Sequence, residues 1–284
     1  MSQAISFGMS ELPPTPVNFG NGIARYTSNG TCFALFRCPF RLYFEMMHFL
    51  LLDTADARGS VAVFRSAELI ATDAYPAEPE FSAWLLPAVE SILKRSRLSH
   101  TDLDGYAVCS GPGSFTGLRV GLSSVKAWAE IYRKPIAAVS RLEAFASGNT
   151  RSAVPHLDRT AVFCDARRGQ VFAALYDRSS HVVEPETVLT LETFLSKAAS
   201  LQGTTLWKTP DPGLLEALPA WPARRDAGDI LETVEPPFSA PLGRLAWRKF
   251  LEGKTTDALA LDANYVRRSD AELFWKDYVT EAKP

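Results

Sequence analysis

The chain has 284 residues, of which 46% are hydrophobic and 22% charged, the balance of a globular protein with a real core and room for two domains. Its formal net charge of -2 offers no overall basic field for nucleic acid and no acidic excess of a solvating tail. Any RNA contact has to use local clusters: Arg167–Arg168, Arg224–Arg225 and Arg267–Arg268 are the candidates, each also readable as a solvated surface pair.

Residues 1 to 46 carry Pro13, Pro14, Pro16, Gly20, Gly22 and Gly30 and sustain neither a helical nor a strand period. "MMHFLLLDT" then begins abruptly at Met46 with an apolar strand. The expectation is that the native product starts at Met46 or Met47 and that 1–46 is an over-extension, a genuine flexible tail being the rival. The apolar run "CFALFRCPFRLYF" (32 to 44) is broken by Arg37, Pro39 and Arg41, and no run approaches the ~18 residues of a membrane span. Cys32, Cys38, Cys109 and Cys164 are scattered without zinc or disulfide spacing, which fits a reducing cytosol and no membrane.

His48 to Leu52 reads as a buried strand ending in Asp53-Thr54, followed by two strands of a hairpin turning at Ser66-Ala67-Glu68. From Glu80 to Arg97 the residues Phe81, Trp84, Leu85, Ala88, Val89, Ile92 and Leu93 hold helical spacing. Pro87 implies either a kink or a helix that starts there. A strand over 102–110, a helix carrying Leu118, Val120, Leu122, Val125, Trp128, Ala129 and Tyr132, a strand over 135–140 and a short helix over 141–146 complete an α/β unit of mixed sheet. Ser147 to Pro155 is small and polar, a domain boundary. Beyond it come a hairpin over 160–178 turning at Asp165 to Gly169, a helix at about 191–199, a strand around 204–207 and a helix over 241–251. The expected organisation is therefore 1–46, then domains over 47–150 and 151–284, and the repeated antiparallel opening hints at a duplicated fold.

"CSGPGSFTGLRVG" (109 to 121) is the stretch that could carry chemistry. Gly111, Gly113 and Gly117 allow unusual backbone angles, and Ser114 and Thr116 suit a helix cap. The N–H groups of the helix start could hold a phosphate. Yet Gly117 is followed by Leu118 and Arg119 rather than Lys-Ser or Lys-Thr, and the dinucleotide spacing fails at Thr116. The other reading is that the glycines let strand, turn and helix pack closely. Ser114 has no histidine or lysine nearby in sequence, so it reads as a cap rather than a nucleophile.

"GPGSFTGLRVGLSSVKAWAE", with "LLLDTADARGSVAVF", "WLLPAVESIL", "PIAAVSRLEAFA", "DARRGQVFAALY" and "YVRRSDAE", closely resembles the TsaB family of bacterial tRNA threonylcarbamoyladenosine biosynthesis proteins. The resemblance runs from about Met47 to the C-terminus. It implies two related actin-like (ribonuclease-H-like) domains of mixed sheet and flanking helices, as in Hsp70 and the sugar kinases. It also implies a catalytic TsaD-like paralogue and a TsaE-like ATPase as partners, with tRNA met only through the complex and ATP used by it. TsaD carries an H-x-x-x-H metal pair, and Arg141 and Phe145 stand at the corresponding positions here. Neither side chain has a lone pair for a metal.

The resulting expectation is a non-catalytic, cytoplasmic partner subunit. Asp53, Gly111, Gly113, Ser114, Thr116 and Gly117 are the candidates for a phosphate or nucleotide, which could also lie at the subunit boundary. Phe81, Trp84, Leu85, Val125, Trp128 and Tyr132 are the candidates for the partner interface, with a homodimer through the same surface where the partner is missing. The rival is an enzyme acting alone, either an ATP-binding kinase-like protein or a glycoprotease-like hydrolase.

Overall fold

The computed structural model describes residues 46–76, 78, 80–147 and 157–267. The expectations for residues 1–45 and 148–156 and for Arg268 lie outside the described residues. Two five-stranded mixed sheets form, one in each half of the described chain. In the first, β1 (His48–Asp53) pairs antiparallel with β2 (Ser60–Arg65), and β2 with the edge strand β3 (Glu68–Ala74). On its other side β1 runs parallel to β4 (Gly105–Gly111), which pairs with β5 (Ile136–Ser140). The apolar run Phe49–Leu52 is wholly buried because both faces of this central strand are covered.

Helix α1 (Phe81–Arg95) buries Leu85, Ala88, Val89, Ile92 and Leu93. It begins six residues before Pro87 and continues through it, so Pro87 does not start the helix. Helix α2 (Phe115–Tyr132) connects β4 to β5, capped at its start by Ser114, whose hydroxyl accepts from Gly117 N at 3.4 Å. A short helix α3 (Arg141–Ala146) follows β5 without a break, capped by Ser140.

The second sheet repeats the first. Strand β6 (Arg159–Asp165) pairs antiparallel with β7 (Val171–Asp177), and β7 with β8 (Val182–Leu189), a strand that the sequence pattern did not reveal. Across β6, β9 (Thr205–Thr209) and β10 (Ile230–Thr233) run parallel. Helix α4 (Leu191–Ser200) links β8 to β9, while two short helices, α5 (Pro212–Glu216) and α6 (Trp221–Asp226), link β9 to β10. The order β3-β2-β1-β4-β5 is thus matched by β8-β7-β6-β9-β10, and the described residues form two α/β lobes of one plan.

The last helix, α7 (Ser239–Leu251), follows the second sheet in sequence but packs on the first. Phe238, Leu242, Leu245, Ala246 and Phe250 join the core of β1, β4 and α2, with the Phe250 ring centroid 5.2 Å from that of Phe49. The same core takes in Val162, Cys164, Phe172 and Tyr176, so one apolar layer joins both sheets around α3. A second, smaller core centred on Trp207, Phe163, Phe194 and Trp221 lies on the far face of the second sheet. Among the described residues, no helix is long and apolar enough to cross a membrane.

Candidate functional site

The end of β1 meets the glycine loop and the start of α3, and three sequence-distant signals converge there. Asp53 is fully buried, and its two carboxylate oxygens accept from the Arg141 guanidinium at 2.8 and 2.9 Å. Oδ1 also accepts from Ala55 N at 3.1 Å. The other guanidinium nitrogen of Arg141 donates to Asp56 Oδ2 at 2.5 Å. Asp56 is further held by Arg58, which reaches across to Asp211 of the second lobe at 2.8 Å. The remaining oxygen of Asp211 accepts from Asp165 N at 2.8 Å. Phe238 lies under both cations, 5.2 Å from Arg141 Cζ and 5.6 Å from Arg58 Cζ.

Burial works against charge at Asp56, Arg58 and Arg141. At Asp56 it would raise the carboxyl, but the field of Arg141 and the bonds from Arg58 prevail and hold it well below the usual carboxylate range. Arg141 loses hydration too, and Asp53 and Asp56 more than restore its preference for the charged form. The buried thiols behave oppositely: with the cost of burying a thiolate foremost, Cys164 is pushed up to about 12 and Cys109 higher still. Both cysteines are free and buried, and neither is a nucleophile at neutral pH.

The glycine loop is closed against the chain itself. A Cβ on Gly113 would lie 2.4 Å from Ala55 O, one on Gly117 2.1 Å from Thr54 O, and one on Gly121 2.4 Å from Thr54 Oγ1. Thr54 Oγ1 donates to Gly117 O at 2.7 Å, and Ser114 N donates to Ala55 O at 2.6 Å. Gly117 N is taken by the Ser114 hydroxyl and Leu118 N by Ser114 O. The amides of Ser114, Gly117 and Leu118 are thus engaged by the 53–55 turn and by the cap. Of the phosphate candidates, only Ser114 and Thr116 are exposed, while Gly111 and Gly117 are buried. At Gly113 and Gly117 the glycines admit the backbone of the 54–55 turn, and Asp53 is taken up by Arg141, so these residues have packing and pairing roles in the described structure.

Arg141 and Phe145, the positions matched to the metal pair of TsaD, have quite different work. Arg141 is the ion-pair hub, and Phe145 packs edge-on against Phe238, with ring centroids 4.9 Å apart. On the opposite side of α3, Ser140 Oγ and Asn264 Nδ2 each donate to Glu186 of β8. Burial raises the Glu186 carboxyl, and those two bonds only partly oppose the rise. Asp56, Arg58, Asp211 and Glu186 were not singled out from sequence. Apart from the Asp56–Arg58 pair itself, their partners lie 46 to 153 positions away, and no spacing signals such a pairing.

The six interface candidates divide. Leu85 and Val125 are 1% and 0% exposed and belong to the core, so they are corrected: their face of each helix lies on the sheet. Phe81 stacks on Tyr75 at 3.9 Å between centroids, with Trp84 edge-on to both. Trp128 and Tyr132 enclose His100, whose Nδ1 meets Tyr106 Oη at 2.9 Å, and burial lowers that imidazole. The most exposed large apolar side chains on α1 and α2 are Leu86, 56% exposed, and Ile131, 69% exposed, with Phe115 at 36% where α2 begins. A groove of about 480 Å³ between β3 and α1 is lined by Ala83, Trp84, Pro87 and Ala88 with Asp73 and Pro76 at its side.

A family model described as "TsaD: tRNA N6-adenosine threonylcarbamoyltransferase" matches residues 75–208. The "tRNA threonylcarbamoyladenosine biosynthesis protein TsaB" of Escherichia coli (strain K12) is 32% identical over 81% of this chain and 97% of its own length. The protein of the same name from Bacillus subtilis (strain 168) is 34% identical over 49% of this chain and 58% of its own. Among solved structures, "YeaZ from Pseudomonas aeruginosa" superposes with a TM-score of 0.59 at 23% identity, covering 78% of this chain and 100% of that one, a likeness of fold.

Proposed function

This chain belongs to the TsaB family, and from that premise we propose that it is the accessory subunit of a tRNA threonylcarbamoyladenosine-forming complex, without an active site of its own. In this reading it supports and activates a TsaD-like subunit. That subunit would place the threonylcarbamoyl group on the adenosine beside the anticodon, with a TsaE-like ATPase and tRNA joining through the complex in the cytoplasm. One observation carries the reading beyond family membership: the position matched to a metal ligand of the catalytic paralogue holds Arg141, buried and clamped by Asp53 and Asp56. A permanent cation there repels a second one, and it occupies the carboxylates that could have received a metal.

The outer faces of α1 and α2 are the proposed contact with that partner. Leu86 and Ile131 supply its exposed apolar area and the Trp84 groove its relief. The same surface would join two copies of this chain when no partner is present. Domains over 47–150 and 151–284 stay as proposed bounds, with α7 returning to the first.

Reconstitution tests the reading: purified subunits with tRNA, threonine, bicarbonate and ATP, with and without this chain. Modification that depends on the chain, together with no turnover by the chain alone, is the expected result. Equal modification in its absence would overturn it. Tight ATP binding by the isolated chain, abolished by a bulky residue at Gly113, would favour the rival of a kinase-like enzyme.

A further inference from the structure

Resting on the accessory-subunit reading, we propose that a basic and aromatic patch at the start of α2 is where this chain touches RNA directly, through phosphates and unstacked bases of a looped strand. The patch is assembled from three distant stretches of sequence. Arg119 lies over the Phe115 ring, with Cζ 3.8 Å from the centroid, and its Nε donates to Tyr265 Oη at 3.4 Å. Tyr265 packs against Phe115 at 4.9 Å between centroids. Two residues on, Arg267 donates to Ala166 O at 2.8 Å and to Gln170 Oε1 at 2.6 Å, fastening the C-terminal segment to the β6–β7 turn. That turn presents Arg167 and Arg168 to solvent, both in the left-handed region at φ 62° and 57°.

Its chemistry selects the ligand. Arg119 and Arg267 meet rings, a phenol, a carbonyl and an amide, and among the described residues neither meets a carboxylate. Within the turn, Asp165 pairs with Arg167 at 3.4 Å. Phe115 and Tyr265 are 36% and 41% exposed, so each keeps ring surface for a base. Guanidinium groups interleaved with open rings suit a strand whose phosphates alternate with unstacked bases. An acidic peptide would use the charges but would leave the rings idle. The other arginine pair explains itself without a ligand: Arg224 is bonded to the buried Asp229.

The test uses the assembled complex of this chain with a TsaD-like subunit and a fluorescent anticodon stem–loop RNA, titrated across a salt series. The double variant Arg119→Gln, Arg167→Gln is expected to bind about tenfold more weakly at low salt, with a log–log salt slope shallower by about 1.4 for two lost phosphate contacts on a single strand. Arg225→Gln, exposed on α6, serves as the control and is expected to leave both unchanged. Photocrosslinking of a 4-thiouridine RNA is expected to label Tyr265 or Phe115. Unchanged affinity and slope in the double variant would overturn the proposal. So would loss of co-elution with the partner, which would make the patch a protein contact. The accessory-subunit reading fails separately, if the wild-type chain neither co-elutes with the partner nor stimulates it. In that case, RNA titration of the isolated chain still reads the patch.

Discussion

The two lobes share one strand order but solve the crossover between their last two strands differently. In the first, an 18-residue helix, α2, spans β4 to β5 and lies so close to the 53–55 turn that only glycine fits at 113, 117 and 121. In the second, two helices of 5 and 6 residues make the same connection, and Gly213 there has nothing within 4 Å of a Cβ. The first lobe has spent its chain on long amphipathic helices seated tightly on the sheet. It also receives α7 from beyond the second lobe. A rigid, well-backed helical face is what a partner surface needs, and it is the first lobe that has one.

The comparison can be broken at its strongest point by removing Arg141. Arg141→Met leaves Asp53 buried without a counter-charge and is expected to cost about 3–5 kcal/mol of stability, read from urea unfolding. A loss below about 1 kcal/mol would show that the first lobe does not depend on the ion pair. The crossovers themselves give the next effect. Gly117→Ala drives a methyl into Thr54 O and is expected to cost about 1–3 kcal/mol. Gly213→Ala on exposed α5 is expected to gain up to about 1 kcal/mol by stiffening the unfolded chain. Equal effects in thermal melts would erase the distinction between the lobes.

Acid sharpens the comparison further, because the carboxyl of Asp56 is depressed by arginines. A depressed carboxyl contributes stability that is fully present above its unfolded value of 3.8 and lost as pH falls toward its folded one. Stability measured from pH 5 downward should therefore fall, and Asp56→Asn should flatten that fall while lowering stability at neutral pH. The smallest effect on stability belongs to the outer face. Leu86→Glu and Ile131→Glu should each change it by no more than about 0.5 kcal/mol. Both should nevertheless weaken co-elution with the TsaD-like subunit. Retained co-elution in the double variant would move the partner elsewhere.

Much of the fold was legible because its elements are locally encoded. Phe49–Leu52 is apolar at every position, as a strand covered on both faces must be, and the 3.6-residue period from Leu85 to Leu93 announced α1. Strand β8 was missed because Val182, Glu184, Pro185 and Glu186 show no two-residue alternation on an edge that stays largely open. The interface candidates were half legible. Periodicity identifies which residues share a helical stripe, but the stripe holding Leu85 and Val125 is the one the sheet covers.

By itself, the sequence carried most of the order of elements in the first lobe, a hint of a duplicated α/β plan and the resemblance to the family. Only tertiary structure showed that the glycine motif admits a neighbouring backbone, since a loop that holds phosphate and a loop that packs closely ask for the same residue. The partners of Arg141, the latch from Arg58 to Asp211 and the meeting of Arg119, Arg167 and Arg267 were likewise decided in three dimensions. Local pattern reports how each segment pairs with itself. Charges that meet across a hundred residues leave no period to read.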